Sequence, residues 1–433
     1  MGKRRSTLAG HAGLMRINLL IISSALMLLV WGAQNGALAQ IEQITNTTEG
    51  DNTYPSINAN GTRIAFQSDR DITGGNGDHN TEIFLFDAAT GFTQVTDTTG
   101  GVNIFPAINA NGTQVVFQSN RNLTGGNGDL NFEIFLYDSI TPLITQITNT
   151  SGGANVNPSI NADGTRIAFE SDGDFTGGNG DHNTEIFLFD TGTGFGQITD
   201  TTWGASVNSS INADGTRIAF MSIADITGGN PDHNSEIFLF DTGTGVTQVT
   251  DTTVGSNLNS SINASGTRIA FTSNRDLTGG NGDHNFEIFL FDTAMGLTQV
   301  TDTIAGGNVY PSINADGTRI AFYSSSDHTG ENGDGNLEIF LFDAATGVTQ
   351  VTHSTGGDSQ NPSISADGTR IAFFSTSDLT GENPDGNLEI FVVTLEAPVS
   401  ASVPAANEWG VMIFVLMAGT ISLYYMKKKK MSG

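Results

Sequence analysis

The 433-residue sequence contains no cysteine. No disulfide can brace it and no thiol can act as nucleophile or metal ligand, so stability has to come from packing. Basic residues are scarce as well: 17 Lys and Arg stand against 45 Asp and Glu, a net charge of −28. Between residues 40 and 402 the imbalance deepens to nine arginines, no lysine and 44 acidic residues, a net charge of −35. Such a surface repels phosphate backbones, which excludes nucleic acid as a partner, and it suits solubility and cation binding. There is no Gly-x-Ser-x-Gly nucleophile elbow and no zinc-binding helix motif. On these absences the chain is expected not to be an enzyme and to need no cofactor.

What is present is a repeat. The stretch Pro55-Ser-Ile-Asn-Ala-Asn-Gly-Thr-Arg-Ile-Ala-Phe66 returns six more times, with its glycine at Gly61, Gly112, Gly164, Gly215, Gly266, Gly317 and Gly368. A fixed period of this size marks a repeat architecture. Within one unit, Asn60-Gly61 supplies the positive φ of a tight hairpin turn, with Asp-Gly replacing it in later copies. Thr62–Phe66 and Glu82–Phe86 are rich in β-branched and aromatic residues and are expected to be strands. Thr93–Thr96 is expected to be a short last strand, so each repeat holds four strands and no helix.

The Ile-Phe-Leu-Phe run at 83–86 is apolar at every position, which implies burial of both faces. Four-stranded sheets stacked around an axis achieve that, as in a β-propeller. The Thr-Gln-Val-Thr strand is missing after the seventh repeat and occurs instead at Ile41–Thr45. The expectation is therefore an all-β, seven-bladed propeller over residues 40–394, its last blade closed by the N-terminal strand. Closure also removes open sheet edges. The blade pattern, Pro-Ser-Ile-x-Ala-Asp-Gly-Thr-Arg-Ile-Ala-Phe followed by Ser-Asp-Arg-Asp and Asn-x-Glu-Ile-Phe, resembles the TolB-type, WD-like propeller repeat. The chain departs from that pattern by a longer middle loop containing Ile72–Gly77.

The two ends read as address signals. Residues 1–39 combine a basic start, an apolar run from Ile17 to Trp31 and Ala37-Leu-Ala39, which is the layout of a cleaved secretory signal. A linker at 395–408 leads to an apolar stretch, Trp409 to Met426, expected to be a membrane helix, and then to a basic tail at 427–433 whose lysines should stay cytoplasmic. Pro404, Glu408, Trp409 and Gly410 with the apolar run and basic tail resemble the IPTL-CTERM sorting signal, with Ala405 and Ala406 where that signal carries Thr-Leu. The resemblance implies a membrane sorting enzyme of the exosortase type as a partner. It further implies delivery to the envelope or surface of a Gram-negative bacterium, membrane-anchored before any C-terminal processing.

The richest candidate for binding is the Asn-x-Asp-x-Asn-x-Glu loop found in every repeat, with its aspartates at Asp78, Asp129, Asp181, Asp232, Asp283, Asp334 and Asp385. Alternation puts these oxygen-bearing side chains on one side, as Ca²⁺ prefers, although Asn, Asp and Gly are also ordinary turn formers. His79, His182, His233 and His284 share one position of this loop. The functional expectation is an exported, noncatalytic binding or scaffold module that recognises an envelope protein or polysaccharide through one rim of loops. The alternatives are a Ca²⁺-dependent glycan binder and a TolB-like lyase or hydrolase.

Overall fold

The computed structural model describes residues 40–395. The expected signal peptide (1–39), linker and sorting motif, membrane helix and basic tail lie outside them. The described chain forms seven four-stranded antiparallel sheets and no helix. In blade 1 the strands run outward from the axis as Asn52–Ile57, Arg63–Ser68, Glu82–Asp87 and Gly91–Gln94. Blade 7 uses Ser359–Ile364, Arg370–Ser375 and Glu389–Thr394, and its outer strand is Gln40–Gln43. Gln40 pairs with Thr394 and Gln43 with Phe391, so the N-terminal strand closes the last blade as expected.

The apolar runs bury both faces. In blade 1, Ile83 and Leu85 pack with Val115, Phe117 and Phe135 of blade 2. The alternate residues Phe66 and Phe84 pack with Ala372, Ile390 and Val392 of blade 7. Phe66 and Phe84 stack 5.8 Å apart and are fully buried, and the same pair recurs in every blade. Each such ring contributes about 1.5–3 kcal/mol through burial.

Two devices join the blades near the axis. Ala59 N donates to Ala110 O, and the pattern passes through Ala162, Ala213, Ala264, Ala315 and Ala366 until Ala366 N donates to Ala59 O at 3.0 Å. This is a closed circle of backbone hydrogen bonds. Around it, Arg63 pairs with Asp87 at 2.6 Å and donates from Nη1 to Gly112 O of the next blade at 3.0 Å. Across the seam, Arg370 donates to Gly61 O at 2.6 Å. Gly61 has φ +71°, and a Cβ there would sit 2.4 Å from Arg370 Cδ, so the turn chemistry and the close approach both require glycine. Blade 2 carries Gln114 in place of the arginine and lacks the ion pair with Asp138.

Candidate functional site

The Asn-x-Asp-x-Asn-x-Glu loops do not form the one-sided oxygen array expected from the alternation. Glu82 is fully buried. Its Oε1 accepts from Thr98 N at 2.7 Å and Thr98 Oγ1 at 2.6 Å, and its Oε2 accepts from Asn103 Nδ2 of blade 2 at 2.9 Å. Asn80 Nδ2 donates to Thr98 O at 2.9 Å. Both side chains therefore turn inward and fasten the loop that leads into the next blade. Across the seam, Glu389 does the same for Thr47 and Asn52.

The seven aspartates stay exposed, one per blade. Asp78, Asp129 and Asp385 accept backbone N–H groups of the adjoining loop, from Gly100, Gly152 and Glu49, at 2.9, 2.8 and 3.3 Å. Asp181, Asp232, Asp283 and Asp334 make no such bond among the described residues. The structure does not bring the seven together, and no group of three or more His, Cys, Asp or Glu among the described residues could hold a metal ion. His79, His182, His233 and His284 are exposed and sit at φ 57–60°, a turn position that blades 6 and 7 fill with Gly335 and Gly386. They serve the turn and do not converge. The Oδ1 atoms of Asn76 and its six equivalents are buried and have no hydrogen-bond partner among the described residues.

The residues that do converge lie at the axis. Each inner strand carries a β-bulge; in blade 1 the register shifts between Thr53 and Ser56. The bulged residues are Tyr54, Phe105, Asn157, Asn208, Asn259, Tyr310 and Asn361, all with φ between 50° and 57°. A bulge re-aims the side chain it carries. Here all seven line one cavity of about 400 Å³, together with the following Pro or Ser residues. Proline needs no ladder partner, so it suits the position after the bulge. The cavity lies where the inner strands begin, the same side as the rim loops.

This funnel is two-sided. Tyr54 meets Phe105 edge-on at 4.7 Å and has Phe374 behind it at 6.1 Å, while Tyr310 stacks on Tyr323 at 5.5 Å. Tyr54 and Tyr310 are 38% and 47% exposed. Burial raises the Tyr323 and Tyr54 phenols above the usual tyrosine range, so both stay neutral. Asn361 of blade 7 stands between Tyr310 and Tyr54 on the aromatic side, and the opposite arc is Asn157, Asn208 and Asn259. Behind it lies Glu170, 3% exposed, whose Oε1 accepts from Asn208 N at 2.6 Å and Asn157 Nδ2 at 3.0 Å. Burial pushes its carboxyl up to about 7 against those two hydrogen bonds, and no charged neighbour acts on it. Gln67 and Gln118 do the same holding job for Phe105 N and Asn157 N with a neutral amide.

None of the funnel residues was singled out as a site by sequence reasoning. A signal was present all the same. The repeats are nearly identical, yet the bulge position reads Tyr, Phe, Asn, Asn, Asn, Tyr, Asn, and the position behind it reads Gln, Gln, Glu, Met, Thr, Tyr, Phe.

No protein-family model matches the chain and no curated protein matches it. Solved structures do. Oligogalacturonate lyase from Vibrio parahaemolyticus is 13% identical, with a TM-score of 0.56 over 83% of this chain and 98% of that one. A puromycin hydrolase is 13% identical with a TM-score of 0.54, over 76% of this chain and 50% of that one. A putative TolB from Agrobacterium tumefaciens is 17% identical with a TM-score of 0.43, over 70% of this chain and 94% of that one. The expectation that the chain is not an enzyme does not stand. The propellers it resembles include a lyase and a hydrolase, so lacking a nucleophile elbow excludes nothing on this scaffold, where reactive groups are grafted onto loops and channels. At these identities the likeness is one of fold, a seven-bladed β-propeller.

Proposed function

We propose that this chain is an exported, envelope-sorted propeller that binds a polysaccharide or protein of the envelope at its axial funnel. The observation that carries the reading is where the repeats differ. The two inner strands keep Ser-Ile after the Pro or Ser (Ala-Ile in blade 2) and Arg-Ile-Ala-Phe-x-Ser in six of seven blades, yet the bulge and the residue behind it change from blade to blade. Packing alone asks seven equivalent positions for one answer, whereas a ligand with a front and a back asks for several. The strain agrees with this. Tyr54, Phe105 and Tyr310 hold a left-handed backbone that suits Asn far better than an aromatic residue, and an outlier of this kind points to function. The rim loops, with the seven exposed aspartates, surround the funnel mouth and form the outer part of the proposed binding face. The export and sorting parts of the proposal rest on the terminal sequence signals.

The test is retention of envelope extract on the immobilised protein, wild type against Tyr54→Asn and Tyr310→Asn. Retained material that both variants lose supports the funnel. Equal retention by all three proteins removes it as the binding site.

A further inference from the structure

We infer that the funnel takes the uncharged end of a saccharide chain, flat against its aromatic side and hydrogen-bonded by its amide side. This rests on the binding reading above and narrows it to one ligand class.

The first argument is surface chemistry. A pyranose ring has a face of C–H groups and an edge of hydroxyls. Tyr54, Phe105 and Tyr310 present partly exposed rings on one side of the cavity, fixed by the aromatic neighbours behind them. Opposite them, the side-chain amides of Asn208 and Asn259 make no hydrogen bond among the described residues, so each offers a free donor and a free acceptor. Asn157 is held in place by Glu170. Small-ligand sites pair apolar and aromatic walls with a few placed polar groups, and this funnel has that division.

The second argument is charge. No Lys or Arg lines the cavity. A uronate or sulfated chain would meet no cation there, and the acidic domain around it would repel the ligand. Glu170 stays buried behind the amides rather than facing a cationic ligand.

The third argument separates a saccharide from a peptide. One common way for an extended peptide to bind is by adding to a free strand edge. The inner strand edge facing the axis is already engaged in five of the seven blades. Ile108 N donates to Ser56 Oγ of the preceding blade at 3.1 Å, and Ile57, Ile262, Ile313 and Ile364 make the same bond. The adjoining alanines form the closed backbone circle. In those five blades only side chains are left to read a ligand. A cavity of about 400 Å³ is near the lower end of the ~300–1,000 Å³ of small-ligand sites, which fits a chain end rather than a chain threaded through.

Titration calorimetry on the full chain in detergent tests this. The probes are uncharged hexasaccharides of glucose, mannose, galactose and N-acetylglucosamine, with hexagalacturonate as the acidic comparison. The expected result is saturable heat with at least one uncharged probe. Tyr310→Asn and Asn208→Gly, both compatible with the left-handed backbone there, should each weaken that binding about tenfold or more, with melting temperature and circular dichroism close to wild type. Tighter binding of hexagalacturonate than of every uncharged probe overturns the inference. So does silence from all saccharides when envelope protein is retained by wild type and lost by Tyr310→Asn, an outcome that leaves the funnel as a binding site. If no probe binds and retention ignores the funnel variants, both readings fall.

Discussion

Tyr310→Asn separates a binding surface from a core in a single measurement of stability. In a core position the loss of a large ring costs about 3–5 kcal/mol. Tyr310 is different on three counts. Its ring is 47% exposed, so its burial contributes well under the ~1.5–3 kcal/mol of a fully buried aromatic. Its stack on Tyr323 is worth about 0.5–1.5 kcal/mol. Against these losses, φ 51° costs an L-residue about 1–2 kcal/mol, a penalty that Asn largely escapes. Asn157, Asn208, Asn259 and Asn361 already occupy that conformation in four other blades, so the substitution installs the chain's own alternative. The terms nearly cancel, and urea unfolding followed by circular dichroism should place Tyr310→Asn within about 1 kcal/mol of wild type. Phe84→Ala, at a fully buried ring, should lose about 3–5 kcal/mol in the same assay. A loss above about 2 kcal/mol for Tyr310→Asn would refute the view that the bulge aromatics are held for a ligand rather than for the fold.

Further outcomes are expected elsewhere. Glu170 has a folded pKa of about 7, above its ordinary value of 4.5, so its neutral form is favoured and stability falls as pH rises from about 4.5 through 7. Glu170→Gln keeps the contact to Asn208 N and should be more stable than wild type by about 3 kcal/mol above pH 7, with no difference near pH 4; equal stability at pH 8 refutes the burial argument. His328 works in the opposite direction. Burial beside Phe340 lowers its pKa to about 4, so wild type loses stability as pH falls from about 6.5 towards 4, and His328→Leu should abolish that loss in melts at pH 5. Deleting residues 41–46 removes a strand paired to blade 7 and the Thr45 Oγ1 acceptor of Ile390 N, and should lower stability by several kcal/mol at ~1 kcal/mol per hydrogen bond. The bared edge should also drive association, and a deletion variant as stable and monodisperse as wild type would sink the closure account.

The fold was legible because the features that specify it are local and repeated. The Asn-Gly and Asp-Gly turns, the doubly buried Ile-Phe-Leu-Phe strands and the displaced Thr-Gln-Val-Thr strand each state their role in a few adjacent residues. The site was not legible in that way. Tyr54, Phe105 and Tyr310 stand about 50 or more residues apart and meet only because the ring closes. The bulge that aims them inward turns on a backbone angle, and Pro55 beside it suggests only an extended piece. The Asn-x-Asp-x-Asn-x-Glu loop misled for a physical reason. Alternation predicts one shared side for an extended segment, but Asn76–Glu82 bends through a turn at His79, which sends Asn80 and Glu82 inward and leaves Asp78 in solvent.

The circle of alanine hydrogen bonds has no first and last member. A protease that cuts one exposed rim loop therefore frees no fragment: each stub stays clamped between two neighbouring sheets and the molecule keeps its shape although its chain is in two pieces. Survival against proteases then depends on the number of cuts rather than on the first one. Nicked material should run as two bands in denaturing gels while eluting as one intact particle.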